Sequence, residues 1–123
     1  VFADLLNRNG KGYVPHYKLS CQEIIRLIKV SGGISVLAHP GLIGDDNLVF
    51  ECINLGIQGI EVFHPKHSEE QIDKYLDIAK KYQLIVTGGS DYHAIPTRYP
   101  QYLGMFTLGE EYSNDFLEIL KKG

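Results

Sequence analysis

The chain has 123 residues, 44% of them hydrophobic and 22% charged, which fits one globular unit and excludes a disordered or fibrous chain. A formal net charge of -3 gives no cationic footprint for wrapping a nucleic-acid backbone, although a local pocket around a bound metal does not register in that sum. No apolar run approaches the roughly 18 residues that span a bilayer, and the N-terminus lacks the charged-then-apolar layout of a signal peptide.

The chain begins at Val1 rather than Met, and Val1 to Asn9 (VFADLLNRN) reads as the tail of an amphipathic helix, so we expect a fragment of something longer. Asn9-Gly10 stops that helix, and Lys11-Gly12-Tyr13-Val14-Pro15 has the punctuation of a connector. Residues 1–19 are therefore set apart from a main unit over 20–123. Ser20 is an N-cap with Glu23 as its capping-box partner, and Ile24, Ile25, Leu27 and Ile28 form an apolar stripe, predicting a helix from about Cys21 to Val30. Ser31-Gly32-Gly33 ends it, and Ile34 to Ala38 (ISVLA) reads as a strand buried on both faces. The pattern recurs: Asn47 to Leu55 as helix, Gly56 as stop, and Gly59 to Phe63 (GIEVF) as strand. It recurs again, with Ser68 and Gln71 capping a helix that buries Ile72, Tyr75, Leu76 and Ala79, then Leu84 to Thr87 as strand. Beyond a Pro- and Tyr-rich stretch, Gly104 to Leu108 reads as a last strand, and Ser113 or Asn114 as the cap of a short helix to Lys122. Alternating helices and short apolar strands imply an α/β fold with a parallel sheet, open or bent toward a barrel. Cys21 and Cys52 lack metal-type spacing and stand in apolar stretches, so we expect buried free thiols and a reducing cytoplasm.

Four of the five histidines fall just past predicted strand ends: His39, His64, His67 and His93. In parallel α/β folds those ends open onto the ligand crevice, although exposed loops also tolerate histidine. Asp91 and His93 form a D-x-H step that, on an extended segment, presents a carboxylate and an imidazole on one face, a pair suited to Zn²⁺, Mn²⁺ or Fe²⁺. The plain alternative is a turn aspartate beside a solvated histidine. Pro40 biases His39 toward an extended backbone with its ring in the crevice, whereas a lone histidine there is more often a packed residue bonded to a carbonyl. His67-Ser68 precedes a helix whose N-terminal N–H groups, with a nearby imidazole, can hold an anion; Ser68 caps the helix in any case, and the two roles are compatible. Glu61 is either an ion-pair member or a partner to a metal-bound histidine. No G-x-S-x-G, P-loop, G-x-G-x-x-G or H-E-x-x-H is present, and neither cysteine has the setting of a nucleophile.

Taken together, GGISVLAHPG (Gly32 to Gly41), GIEVFHPKHS (Gly59 to Ser68) and GSDYH (Gly89 to His93) resemble, in order and spacing, the last motifs of the PHP (polymerase and histidinol phosphatase) family. With the KGYVP connector after an inserted helical region, the chain is similar to the nucleoside-3′,5′-bisphosphate phosphatase and 5′-to-3′ exoribonuclease branch. The resemblance implies the C-terminal portion of a distorted (βα)7 barrel, with two or three divalent metals in the complete protein, Mn²⁺ foremost and Zn²⁺ or Fe²⁺ as alternatives. It implies His39, Asp91 and His93 as metal ligands, Asp91 and His93 as catalytic groups, and His67, Ser68 and His64 near the substrate phosphate. The substrates implied are small phosphorylated molecules, nucleotides or short RNA. The family's opening H-x-H has no counterpart in the 123 residues, so the cluster is expected to be incomplete and this chain inactive alone. A barrel cut part-way also exposes an edge, which suggests self-association of the fragment. A degenerate, non-catalytic PHP-like module and a histidinol-phosphatase-like hydrolase are the alternatives.

Overall fold

Three of the apolar segments become parallel strands in a computed structural model that describes residues 18–95 and 99–122. The expected helix tail over Val1–Asn9 and the connector through Pro15 lie outside the described residues. The first helix, α1, spans Cys21–Val30. Its capping box is closed: Ser20 N–H donates to the Glu23 carboxylate at 2.8 Å, and Glu23 N–H donates back to Ser20 Oγ at 3.3 Å. Those Ser20 donors hold the Glu23 carboxyl below the usual carboxylate range. The apolar stripe, however, is only partly covered among the described residues: Ile25 and Ile28 are half-buried, while Ile24 is 41% and Leu27 49% exposed. The cysteines also correct the expectation of buried thiols. Cys21 is exposed and Cys52 half-buried, and burial first, then the neighbouring Cys21 and Glu51, push the Cys52 thiol up.

Strand β1 is only Val36–Leu37, shorter than the Ile34–Ala38 run, and a single 3₁₀ turn over Pro40–Leu42 follows. Helix α2, Asp46–Asn54, is capped by Asp45, whose Oδ1 accepts from Asn47 N–H at 2.9 Å. Strand β2 has the expected bounds, Gly59–Phe63. Helix α3, Glu69–Tyr82, opens on the Ser68–Gln71 capping box, with Glu69 and Glu70 in its first turn and Lys80 and Lys81 in its last, as its dipole favours. Lys74 on α3 reaches Asp46 on α2 at 2.7 Å, and that bond raises the Lys74 pKa; both groups are solvent-exposed, so the pair contributes little to stability.

Strand β3 is Ile85–Gly88 and helix α4 is Glu110–Lys122. Two expectations near the C-terminus are corrected. No strand forms over 104–108, where the chain turns through Gly104 at φ +84°. Nor does Ser113 cap the last helix: α4 starts earlier, and Ser113 Oγ donates to the Gly109 carbonyl at 3.1 Å from within it.

The sheet runs β1-β2-β3, parallel throughout, with Val36 and Leu37 opposite Gly59 and Ile60, and Gly59 and Ile60 opposite Ile85 and Val86. Being central, β2 buries Ile60 and Val62 completely, each at 0% exposure, against Val49 of α2 and Tyr75, Ile78 and Ala79 of α3. Burying one such side chain stabilises by roughly 1.5–3 kcal/mol. The β2–β3 ladder slips between Glu61 and Phe63, a bulge at the carboxyl end of the central strand. No helix of the described residues is long and apolar enough to cross a membrane.

Candidate functional site

Parallel strands bring their carboxyl ends to one side, so the segments after β1, β2 and β3 meet there with His39, His64, His67, Asp91 and His93. The His39 and His64 ring centroids are 5.7 Å apart, and those of His64 and His67 5.2 Å. His64 Nε2 lies 3.9 Å from Asp91 Oδ2, and His93 Nδ1 lies 3.5 Å from Asp91 Oδ1. The expected ligand loops are therefore neighbours.

The backbone at these loops departs from the expectation of extended segments. His39 sits in the left-handed region at φ 33°, ψ 57°, and Asp91 at φ 51°. A non-glycine residue holds such a conformation only where its surroundings over-determine it, at a cost on the order of 1–3 kcal/mol. The His39 N–H in this conformation donates to Glu61 Oε2 at 2.7 Å. Among the described residues Glu61 has no ion pair with Lys or Arg; it grips a backbone amide instead. At Asp91 the carbonyl accepts from His93 Nδ1–H at 2.6 Å. That bond leaves a lone pair on His93 Nε2, the tautomer that metal-ligating histidines use.

His67 is buried, and both ring nitrogens are engaged by backbone. Nδ1–H donates to the Val62 carbonyl at 2.8 Å, and Nε2 accepts from Gly41 N–H at 3.2 Å. Gly41 has to be glycine for this: a Cβ there would stand 2.7 Å from His67 Cδ2 and 2.9 Å from Gln71 Nε2. Ser68 is likewise occupied, its Oγ taken by Gln71 N–H and its own N–H by Gln71 Oε1. The first-turn carboxylates Glu69 and Glu70 further oppose an anion at this helix end. Direct phosphate contacts from His67 and Ser68 thus do not follow from this geometry; His67 and Gln71 instead hold the Gly41 backbone, Gln71 Nε2–H donating to the Gly41 carbonyl at 3.4 Å.

His64 is different. It is 2% exposed, and its Nδ1 accepts from Lys66 N–H at 3.2 Å, so the neutral ring carries its proton on Nε2. That Nε2 has no hydrogen-bond partner, and the Asp91 carboxylate it faces at 3.9 Å is beyond bonding distance. Burial pushes the His64 pKa down, opposed by the Glu61 charge and, more weakly, that of Asp91. A buried donor without an acceptor costs roughly 1–3 kcal/mol, which a ligand oxygen there would relieve.

The Asp91 carboxylate and the His93 Nε2 lone pair suit a divalent cation in kind, yet among the described residues no three His, Cys, Asp or Glu side chains form a group that could hold one. His39, Asp91 and His93 are gathered but do not close a ligand set. A cavity of about 640 Å³ lies elsewhere, between α3, β3 and α4, lined by Leu76, Leu84, Val86, Tyr112 and Ile119 without any histidine. Sequence reasoning missed the Glu61–His39 and His67–Gly41 bonds, because a side chain reaching the backbone of a distant loop leaves no periodic or spacing signal.

No family model matches the chain. Over 82 residues it is 37% identical to a phosphoribosyl 1,2-cyclic phosphate 1,2-diphosphodiesterase of Eggerthella lenta, a match covering 67% of this chain and 31% of that protein. Over 99 residues it is 34% identical to a 3′,5′-nucleoside bisphosphate phosphatase of Chromobacterium violaceum, covering 76% and 35%. A solved structure from Bifidobacterium adolescentis, assigned as a metal-dependent phosphoesterase, superposes with a TM-score of 0.65 at 33% identity, covering 94% of this chain and 42% of that one. The chain spans about a third of the length of the curated relatives it matches.

Proposed function

The chain is a relative of the metal-dependent phosphoesterases of the PHP family, and we propose that the protein carrying it hydrolyses small phosphate esters of the nucleotide class, nucleoside 3′,5′-bisphosphates or short oligoribonucleotides, by metal-activated water. The observation that carries this reading is the buried, unpartnered His64 Nε2–H facing the Asp91 carboxylate at 3.9 Å between the His39 and His93 loops. An anion donor beside a carboxylate is what a phosphoryl group bridged to a cation requires.

In this reading the Asp91 carboxylate, His93 Nε2 and the His39 ring supply this chain's share of the metal ligands. Divalent ions, when bound, polarise the phosphoryl oxygens and lower the pKa of bound water; Mn²⁺ is our first choice, with Zn²⁺ or Fe²⁺ as alternatives. His64 donates Nε2–H to a phosphoryl oxygen. His67 serves the phosphate indirectly, by holding the Gly41 turn that follows His39, and Ser68 more remotely still, by capping the helix whose Gln71 reaches the Gly41 carbonyl. The chain by itself hydrolyses little, because its ligand set does not close. A reducing cytoplasm suits its two unbridged thiols.

Phosphate release from a nucleoside 3′,5′-bisphosphate by the full-length parent, with and without Mn²⁺, tests the reading. We expect Mn²⁺-dependent turnover that Asp91→Asn abolishes; a folded parent without turnover on bisphosphate or short RNA, across several divalent metals, overturns it. The lack of a three-ligand group among the described residues favours one second reading, a non-catalytic PHP-like binding module. The same assay separates the two.

A further inference from the structure

Glu61 occupies the end of the central strand, where two irregularities meet. On one side the β1–β2 ladder stops at Leu37 and Ile60; on the other, the β2–β3 ladder slips between Glu61 and Phe63. A bulge re-aims the side chain it carries. One carboxylate oxygen, Oε2, takes the His39 N–H at 2.7 Å, which puts a side-chain acceptor where the ladder has run out. The other, Oε1, lies against the far loop: a Cβ added at Gly89 would stand 2.5 Å from it. Gly89 N–H is itself tied to the Phe63 carbonyl at 2.9 Å, so the loop cannot drift from β2 to make room.

We infer that Glu61 is a positioning residue, a carboxylate wedged between the His39 and Asp91 loops that sets the left-handed backbone of one and the closest approach of the other. A charge-assisted bond to an amide is stronger than a neutral one, which suits the task of holding His39 at φ 33°. The glycine at 89 is the counterpart of the wedge, since any larger residue would drive the carboxylate off the His39 amide. The use of this spacing for metal binding rests on the phosphoesterase reading; the wedge itself does not.

The test is amide hydrogen exchange on the ¹⁵N-labelled chain, comparing Glu61→Ala, Glu61→Gln and Gly89→Ala with the unaltered protein. Loss of the acceptor in Glu61→Ala is expected to speed exchange at His39 by about tenfold while Ile60 and Val62 amides in the core of β2 keep their protection. Glu61→Gln, which retains an acceptor oxygen, is expected to stay within about threefold at His39, and Gly89→Ala to reproduce the alanine signature. In the parent, Mn²⁺ affinity read by paramagnetic broadening should weaken by about tenfold in Glu61→Ala and much less in Glu61→Gln. Unchanged His39 exchange in Glu61→Ala overturns the inference, as does equal acceleration of His39 and the β2 core in both Glu61 variants. A parent without turnover would sink the phosphoesterase reading and leave the exchange pattern intact.

Discussion

Replacing Gly41 by alanine probes the brace beneath the His39 loop with one methyl group. The added Cβ would meet His67 Cδ2 at 2.7 Å, His67 Nε2 at 2.9 Å and Gln71 Nε2 at 2.9 Å, well inside ordinary contact. Gln71 can yield part of the way, but the His67 ring is buried and pinned by its 2.8 Å bond to the Val62 carbonyl on the central strand. Either the ring or the Gly41 turn must shift, and the 3.2 Å bond between them is lost. Overpacking of this kind costs about 1–3 kcal/mol, and the stranded amide adds about 1 kcal/mol, so we expect a loss of about 2–4 kcal/mol. Against a total stability on the order of 5–15 kcal/mol this is easily measured as a lower urea midpoint at constant slope. The double variant Gly41→Ala/His67→Ala checks the cause. If the clash is with the ring, the second substitution costs less on the Gly41→Ala background than alone. Additive losses, or a Gly41→Ala midpoint within about 0.5 kcal/mol of the unaltered chain, would refute the reasoning.

Further expectations concern the core, the caps and pH. Ile60→Ala, at a site with 0% exposure, should cost about 2–5 kcal/mol in the same denaturation assay. Ser68→Ala should lower global stability by about 1 kcal/mol, because α3 carries Tyr75, Ile78 and Ala79 into the core. Ser20→Ala removes an equivalent cap from a helix that buries none of its residues, so it should fray α1 by circular dichroism while leaving the urea midpoint almost unmoved. His64 has its pKa pushed below the ordinary 6.5 by burial, so the unfolded chain takes up a proton that the folded, metal-free chain resists. Its contribution is constant above that value and turns destabilising as pH falls from 6.5 toward the depressed folded value. In His64→Gln the slope of stability against pH in this window should flatten; an unchanged slope would rule His64 out as its source.

Much of this architecture could be read before any coordinates, and what could be read shares one property: it is local. The capping boxes Ser20–Glu23 and Ser68–Gln71 join residues three apart, and the structure closes both. The alternation of GIEVF marked β2 to the residue because Ile60 and Val62, two apart, turn to one buried core. The gathering of His39, His64, His67, Asp91 and His93 at one end followed from parallel topology alone. What escaped was set by distant partners. Pro40 argued for an extended His39, and the Glu61 carboxylate from the next strand overruled it. The α1 stripe predicted burial for Cys21, but the described residues cover only its Ile25 and Ile28 side, and Cys21 stays exposed. GMFTL has the apolar content of a strand, yet the backbone turns at Gly104 and forms no ladder.

The order of strands across the sheet is the order in which they occur along the chain. Nothing has to be left open for a later arrival to thread between earlier neighbours. Each pairing joins stretches only about two dozen residues apart, so the loop entropy surrendered at each step is modest for a parallel sheet. At a synthesis rate of roughly 5–20 residues per second, a ribosome would release β2 a few seconds after β1, and β3 a few seconds after that. The nascent polypeptide can therefore lay down its sheet like courses of brick, each new strand adding to the edge left by the one before it.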